Sequence, residues 1–172
     1  MTARAGYNNR VEPSYNAVGM VATGRAGCRA DIEARLPPLH GPAIPDVSLS
    51  HPRAATYVSD AAMQGSAAAK CDALKYRGHN GHHHAGYTFI PASVETYGYL
   101  GNPLFCYLNT LSEVAAARWP AVTTGSFLAG AHRELSVALS KFQGSVYRDC
   151  AKLLARAAGR QVSPGAEVPY ED

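Results

Sequence analysis

The chain has 172 residues, 47% of them hydrophobic and 17% charged. That is enough for one domain with a real core and too little for two full-sized ones. The formal charge of +3 permits a nucleic-acid partner without demanding one. No apolar run approaches the roughly 18 residues of a membrane span, and the N-terminus lacks the apolar stretch of a signal peptide. A membrane partner is therefore not expected. Cys28, Cys71, Cys106 and Cys150 are scattered, with no CxxC pair and no zinc-finger spacing. They read as reduced thiols of an intracellular protein.

Residues 1–14 are polar and irregular and read as a flexible leader. Ala17 to Ala22 is a short apolar run, read as an edge strand. Arg29 to Leu36 alternates as a strand. Pro37, Pro38, Gly41, Pro42 and Pro45 form a turn-rich connector. Val47 and Leu49 carry a second strand, stopped by Pro52. So short a link predicts an antiparallel hairpin. Thr56 to Tyr76 is a predicted helix, with Tyr57, Ala61, Gln64, Ala68, Cys71 and Lys75 at alternating steps of three and four. Residues 77–86 form a glycine- and histidine-rich loop, and Tyr87 to Val94 a third strand.

Pro103 to Arg118 is a helix with Leu104, Tyr107, Leu111 and Ala115 on its face, ended by Trp119-Pro120. Ser126 to Phe142 is another, Gly144 breaks the chain, and a last helix runs from Ser145 to Ala158. The order predicts an α/β fold with a small mixed sheet. The expected division is a leader over 1–14, an α/β core over 15–100, a helical extension packed on it over 101–159, and a loose tail over 160–172.

Two acids fifteen residues apart, Asp31 and Asp46, followed by Lys75 and then Glu95, suit metal-dependent phosphodiester hydrolysis. Carboxylates bind Mg²⁺, which prefers hard oxygen ligands. The ion polarises the phosphate and lowers the pKa of a bound water, and a lysine meets the developing charge. Asp31 and Asp46 on neighbouring strands would approach one ion, and Lys75 would reach them from the helix packed on that sheet. Taken singly, each residue has a structural reading. An Asp at a strand start caps a turn, a Lys at a helix C-terminus follows the dipole or snorkels, and Glu95 is a solvated strand end.

The segments Arg29-Ala30-Asp31-Ile32, Asp46-Val47-Ser48-Leu49-Ser50-His51-Pro52, the alanine-rich helix to Lys75-Tyr76, Phe89-Ile90-Pro91 and Val94-Glu95-Thr96-Tyr97-Gly98 fall in a recognisable order. The helical Arg133-Glu134-Leu135-Ser136-Val137-Ala138-Leu139 adds to it. In these pieces the chain resembles the restriction-enzyme-like endonuclease domain at the C-terminal end of non-LTR retrotransposon polyproteins, of the PD-(D/E)xK nuclease superfamily. The resemblance covers roughly residues 10–160. It implies a restriction-endonuclease-like sheet, Mg²⁺ or Mn²⁺ held by Asp31 and Asp46, and nicking of target DNA for element insertion.

Ala30 stands where the superfamily usually has proline, and Ser48 where most members have lysine. In this retrotransposon group the lysine is displaced to the following helix, at Lys75. The implied setting is nuclear, with DNA as substrate and element RNA or a separately encoded reverse transcriptase as further partners. No reverse-transcriptase or CCHC-knuckle segment lies in these residues, so an isolated domain or a fragment of a larger element is expected. The alternative is a catalytically inactive remnant that binds nucleic acid or merely folds.

His79, His82, His83 and His84 read as a solvated loop, since three consecutive histidines cannot all face one ion from a regular element. His51, just past the Asp46 strand, is read as a cap or as a hydrogen-bond donor to the site. Arg148, Lys152 and Arg156 recur every four residues, a stripe suited to a DNA backbone or to an ordinary solvated face. Ser126 and Ser136 have no companion His and Asp in a recognisable order.

Overall fold

The computed structural model describes residues 8–11, 31–35, 42–60, 63–79 and 87–157. They fall in two compact units, Met1–Glu134 and Leu135–Asp172. The first is mixed α/β. Its strands are β1 (Asn8–Val11), β2 (Ile32–Arg35), β3 (Pro42–Ser50) and β4 (Thr88–Glu95), its helices α1 (Ser66–His79) and α2 (Asn102–Arg118), and it holds the start of α3 (Thr124–Ala157). The sheet order is β1-β2-β3-β4. The first three strands pair antiparallel and β4 joins β3 in parallel, so the expected small mixed sheet and the β2–β3 pairing are present.

β1 falls within the segment expected to be a flexible leader. β3 begins at Pro42, inside the expected proline connector. A strand tolerates proline where its nitrogen faces no ladder partner. The β2–β3 ladder pairs only Ala34 with Ala43 and Arg35 with Pro42. The Val47 N–H points to the β2 side, where it meets Asp31. Two residues back, the Pro45 nitrogen faces the same edge, beyond the ladder's end, and costs no bond to β4.

α1 starts at Ser66, ten residues later than the predicted Thr56. Residues 52–57 are turns and Val58–Asp60 is a single 3₁₀ turn. Gly65, at φ 82°, is in the left-handed region and cannot continue a right-handed helix. A side chain there would also overlap the Tyr99 ring. Ala67 and Ala68 are fully buried, and their small size lets α1 lie close on the sheet.

Parallel register pairs Asp46 with Pro91, Ser48 with Ser93 and Ser50 with Glu95, so these six share one face. α1 covers that face, running opposite to β3. Lys75 meets Asp46, Cys71 meets Ser48, and Ala67 and Ala68 meet Glu95. Four helical residues rise about 6 Å while two strand residues span about 6.6 Å, so the two elements stay in step.

α2 packs against β4 and buries Leu104, Tyr107, Leu108, Leu111 and Ala115, the expected face. Arg118 sits in its last turn and stacks 5.3 Å from the Trp119 ring. Trp119 is extended at φ −127°, ψ 107°, as the residue before Pro120 requires. α3 opens with a capping box: the Thr123 hydroxyl accepts the Ser126 N–H and the Ser126 hydroxyl accepts the Thr123 N–H, both at 3.0 Å.

The second unit holds α3 from Leu135 onward. The helix runs through Gly144, against the expected break, since a single glycine costs a helix only about 1 kcal/mol. The expected strand at 17–22 and the tail at 160–172 lie outside the described residues, as do Cys28 and His82 to His84. Cys71, Cys106 and Cys150 are free thiols. No helix among the described residues is long and apolar enough to cross a membrane.

Candidate functional site

Continuing the β2–β3 register by three places puts Asp31 opposite Asp46. Directly opposed residues on antiparallel strands share a face and lie within about 5.5 Å. Asp31 Oδ2 accepts the Val47 N–H at 2.6 Å. It thereby replaces the ladder bond that β2 no longer supplies. The two carboxyls lie close enough for their charges to act on each other. Burial pushes the Asp31 carboxyl above its usual range, and the facing Asp46 charge pushes it further. The Val47 N–H and the Lys75 charge pull the other way without cancelling the rise.

Lys75 projects from α1 onto this pair. Its Nζ donates to the main-chain oxygens of Asp46 (2.8 Å) and Val47 (2.9 Å) and lies 2.9 Å from Asp46 Oδ2. An ammonium has three protons, and β3 takes all three. The side chain is 17% exposed and that of Asp46 24%, so the pair sits at a rim that solvent reaches. Three of the four predicted site residues thus meet.

Glu95 does not join them. It lies four register places beyond Pro91, the partner of Asp46, which is about 13 Å along the strand. It is 4% exposed rather than solvated, and its Oε1 accepts the N–H groups of Ala67 (3.1 Å) and Ala68 (3.2 Å). These are unsatisfied donors of the first turn of α1, where a carboxylate is favoured. Glu95 holds the helix that delivers Lys75. His51 lies at the same far end, 2.6 Å from the Thr96 hydroxyl and edge-on to Tyr97, so it is no donor to the site.

Ser48, at the superfamily's usual lysine position, lies under α1. Its hydroxyl is 2.8 Å from that of Ser93 and 3.1 Å from the Cys71 thiol. Beside it is Asp72, which the sequence reading passed over. Asp72 is 5% exposed, and among the described residues neither carboxylate oxygen has a hydrogen-bond partner. Burial raises its carboxyl above the usual range; Ser93 and Lys75 lie near enough to oppose this, though outside hydrogen-bond geometry. Its place three residues before Lys75, on the same helical face, was the signal available.

No group of three or more His, Cys, Asp or Glu side chains able to hold a metal occurs among the described residues. The opposed Asp31–Asp46 pair remains, and Mg²⁺ is commonly held by one or two carboxylates with waters completing its shell. The donor set therefore fits that ion. On α3, Arg148 is exposed and Lys152 lies 3.8 Å from Asp149 with most of its side chain in solvent; the Arg156 side chain lies outside the described residues.

Compared with known proteins, the chain matches no family model, no curated protein and no solved structure.

Proposed function

We propose that unit Met1–Glu134 is a divalent-metal-dependent DNA endonuclease domain of the retrotransposon type, restriction-endonuclease-like in fold. The observation that carries this reading is the convergence of Lys75 on Asp46 while Asp31 faces Asp46 across the β2–β3 pair. Asp31 and Asp46 would hold Mg²⁺ or Mn²⁺, and such an ion supplies phosphate polarisation and a more acidic water.

The chain's own residues prepare that site. Lys75 fixes the Asp46 carboxylate by an ion pair. Its positive charge would face a phosphate bound at the rim, where negative charge develops. The raised Asp31 carboxyl must lose its proton to serve as a ligand, so metal affinity falls in acid. Exposed Arg148 and Lys152 would add contacts to the DNA backbone.

A second reading is favoured by one specific observation. All three Lys75 protons are engaged by β3, and Ser48 offers no substitute cation. A remnant whose Lys75 only ties α1 to the sheet would show this geometry. Supercoiled plasmid incubated with Mg²⁺ separates the two. Nicking by wild type, lost in Asp46→Ala and in EDTA, supports the enzyme. Wild type that leaves the plasmid intact, or nicks no faster than Asp46→Ala, supports the remnant.

A further inference from the structure

Metal-dependent chemistry at this site asks Lys75 to face a phosphate and Asp46 to face a metal ion. In the structure the two face each other. Lys75 Nζ lies 2.9 Å from Asp46 Oδ2, and the main-chain oxygens of Asp46 and Val47 take its other protons at 2.8 and 2.9 Å. We propose that Lys75 is a resident cation that lowers the affinity of the Asp31–Asp46 pair for a metal ion until a phosphodiester draws the ammonium off Asp46 Oδ2, so that metal and DNA bind cooperatively. This coupling rests on the metal-dependent reading of the site and supplies its regulation.

Charge sets the direction of the effect. Two facing carboxylates attract a cation, and Lys75 already supplies one to Asp46. A divalent ion on Asp46 would stand within about 5 Å of the ammonium, where like charges at a partly buried rim repel strongly. Without the ammonium the two carboxylates repel each other, and an ion relieves that. Geometry sets the path. The two main-chain oxygens that hold Lys75 belong to β3 and are not metal ligands, so they keep Nζ at the rim. Only the third proton has to turn from Asp46 to the substrate. The rim is open enough for this, with the Lys75 side chain 17% and that of Asp46 24% exposed. An anionic phosphate oxygen is a charge-assisted acceptor as good as the carboxylate it replaces. Whatever factor DNA adds to metal affinity, metal adds to DNA affinity.

The test reads binding rather than cleavage. Mn²⁺ is titrated into the full chain and followed by electron paramagnetic resonance, with and without a mixed-sequence phosphorothioate duplex. The duplex alone and Asp46→Ala supply the baselines. Without duplex, Lys75→Met should bind Mn²⁺ at least about tenfold more tightly than wild type, while Lys75→Arg, which keeps a cation, should stay near wild type. Duplex should tighten Mn²⁺ binding by wild type more than by Lys75→Met, because direct contact between ion and phosphate is common to both. A second measurement needs only folded wild type: the ¹⁵N resonance of the Lys75 ammonium, assigned by its loss in Lys75→Arg, should shift when duplex and Mg²⁺ are added together. Equal Mn²⁺ binding by wild type and Lys75→Met, both tighter than Asp46→Ala, would overturn the proposal and leave the metal site standing. An ammonium resonance unmoved by duplex and Mg²⁺ would overturn it as well. Mn²⁺ binding by wild type and Lys75→Met no tighter than by Asp46→Ala, with or without duplex, would overturn the metal reading and the coupling with it.

Discussion

Lys75 and Asp46 meet twice: the ammonium of α1 binds both the main-chain oxygen (2.8 Å) and the carboxylate (2.9 Å) of the same β3 residue. One side chain therefore pins a helix to a strand and sets the rotamer of a candidate metal ligand. Lys75→Met removes the cation and leaves the Asp46 carboxylate without it at a half-buried rim. The expected loss of stability is about 2 to 4 kcal/mol, measured by urea denaturation. Nicking should fall at least about 100-fold under conditions where the variant is still folded.

Asp31 gives stability a pH signature. Its folded carboxyl is raised above the ordinary value of 3.8, so the folded state holds a proton that the unfolded chain has released. The contribution is fully present below that ordinary value and is lost as pH rises through the folded value. Asp31→Asn keeps an oxygen for the Val47 N–H and removes the titration. Across this window wild type should lose stability relative to Asp31→Asn, as read from urea midpoints between pH 3 and 7. Saturating Mg²⁺ should raise wild-type stability more than that of Asp31→Asn. An equal effect on both would leave the carboxylate pair without a metal role.

Glu95 separates support from chemistry. Glu95→Ala strands the Ala67 and Ala68 N–H groups in a buried site and should cost about 2 to 3 kcal/mol. Glu95→Gln retains an acceptor and should cost less. Neither should change the Mg²⁺ concentration that half-saturates nicking, because Glu95 lies a strand's length from Asp46. A shift in that concentration with Glu95→Gln would place Glu95 among the ligands.

Lys75 was legible because steps of three and four put it on the same stripe as Ala68 and Cys71, and that stripe does face the sheet. The start of the helix was not, since Tyr57 and Gln64 fit the same spacing although the chain there forms turns and a 3₁₀ turn, and the left-handed Gly65 precedes the helix. The pairing of Asp31 with Asp46 followed from two strands and a short link. Prolines hid where β3 begins: Pro45 looks like a breaker until the ladder's early end shows that its nitrogen has no bond to lose. Glu95 was misread because local sequence cannot say that the N-terminus of α1 lies over it. Asp72 was missed because one acid among alanines gives no sign of burial.

Ser48 tests whether the displaced lysine can be moved back. The superfamily's usual position for that cation is Ser48, yet here the hydroxyl is enclosed by Ser93 at 2.8 Å and Cys71 at 3.1 Å, under the turn of α1 that precedes Lys75. A lysine at that place needs room for four methylenes and an ammonium where a single hydroxyl now fits. Overpacking of this kind costs about 1 to 3 kcal/mol, and an unpaired buried charge adds to it. Ser48→Lys should therefore destabilise the chain, and in the Lys75→Met background it should not restore nicking. Ser48→Ala loses two weak polar contacts and should cost about 1 kcal/mol with nicking retained. Recovery of nicking in the Ser48→Lys, Lys75→Met double variant would mean that α1 yields enough for a cation to enter from the strand. The position of Lys75 on the helix would then be one of two workable arrangements.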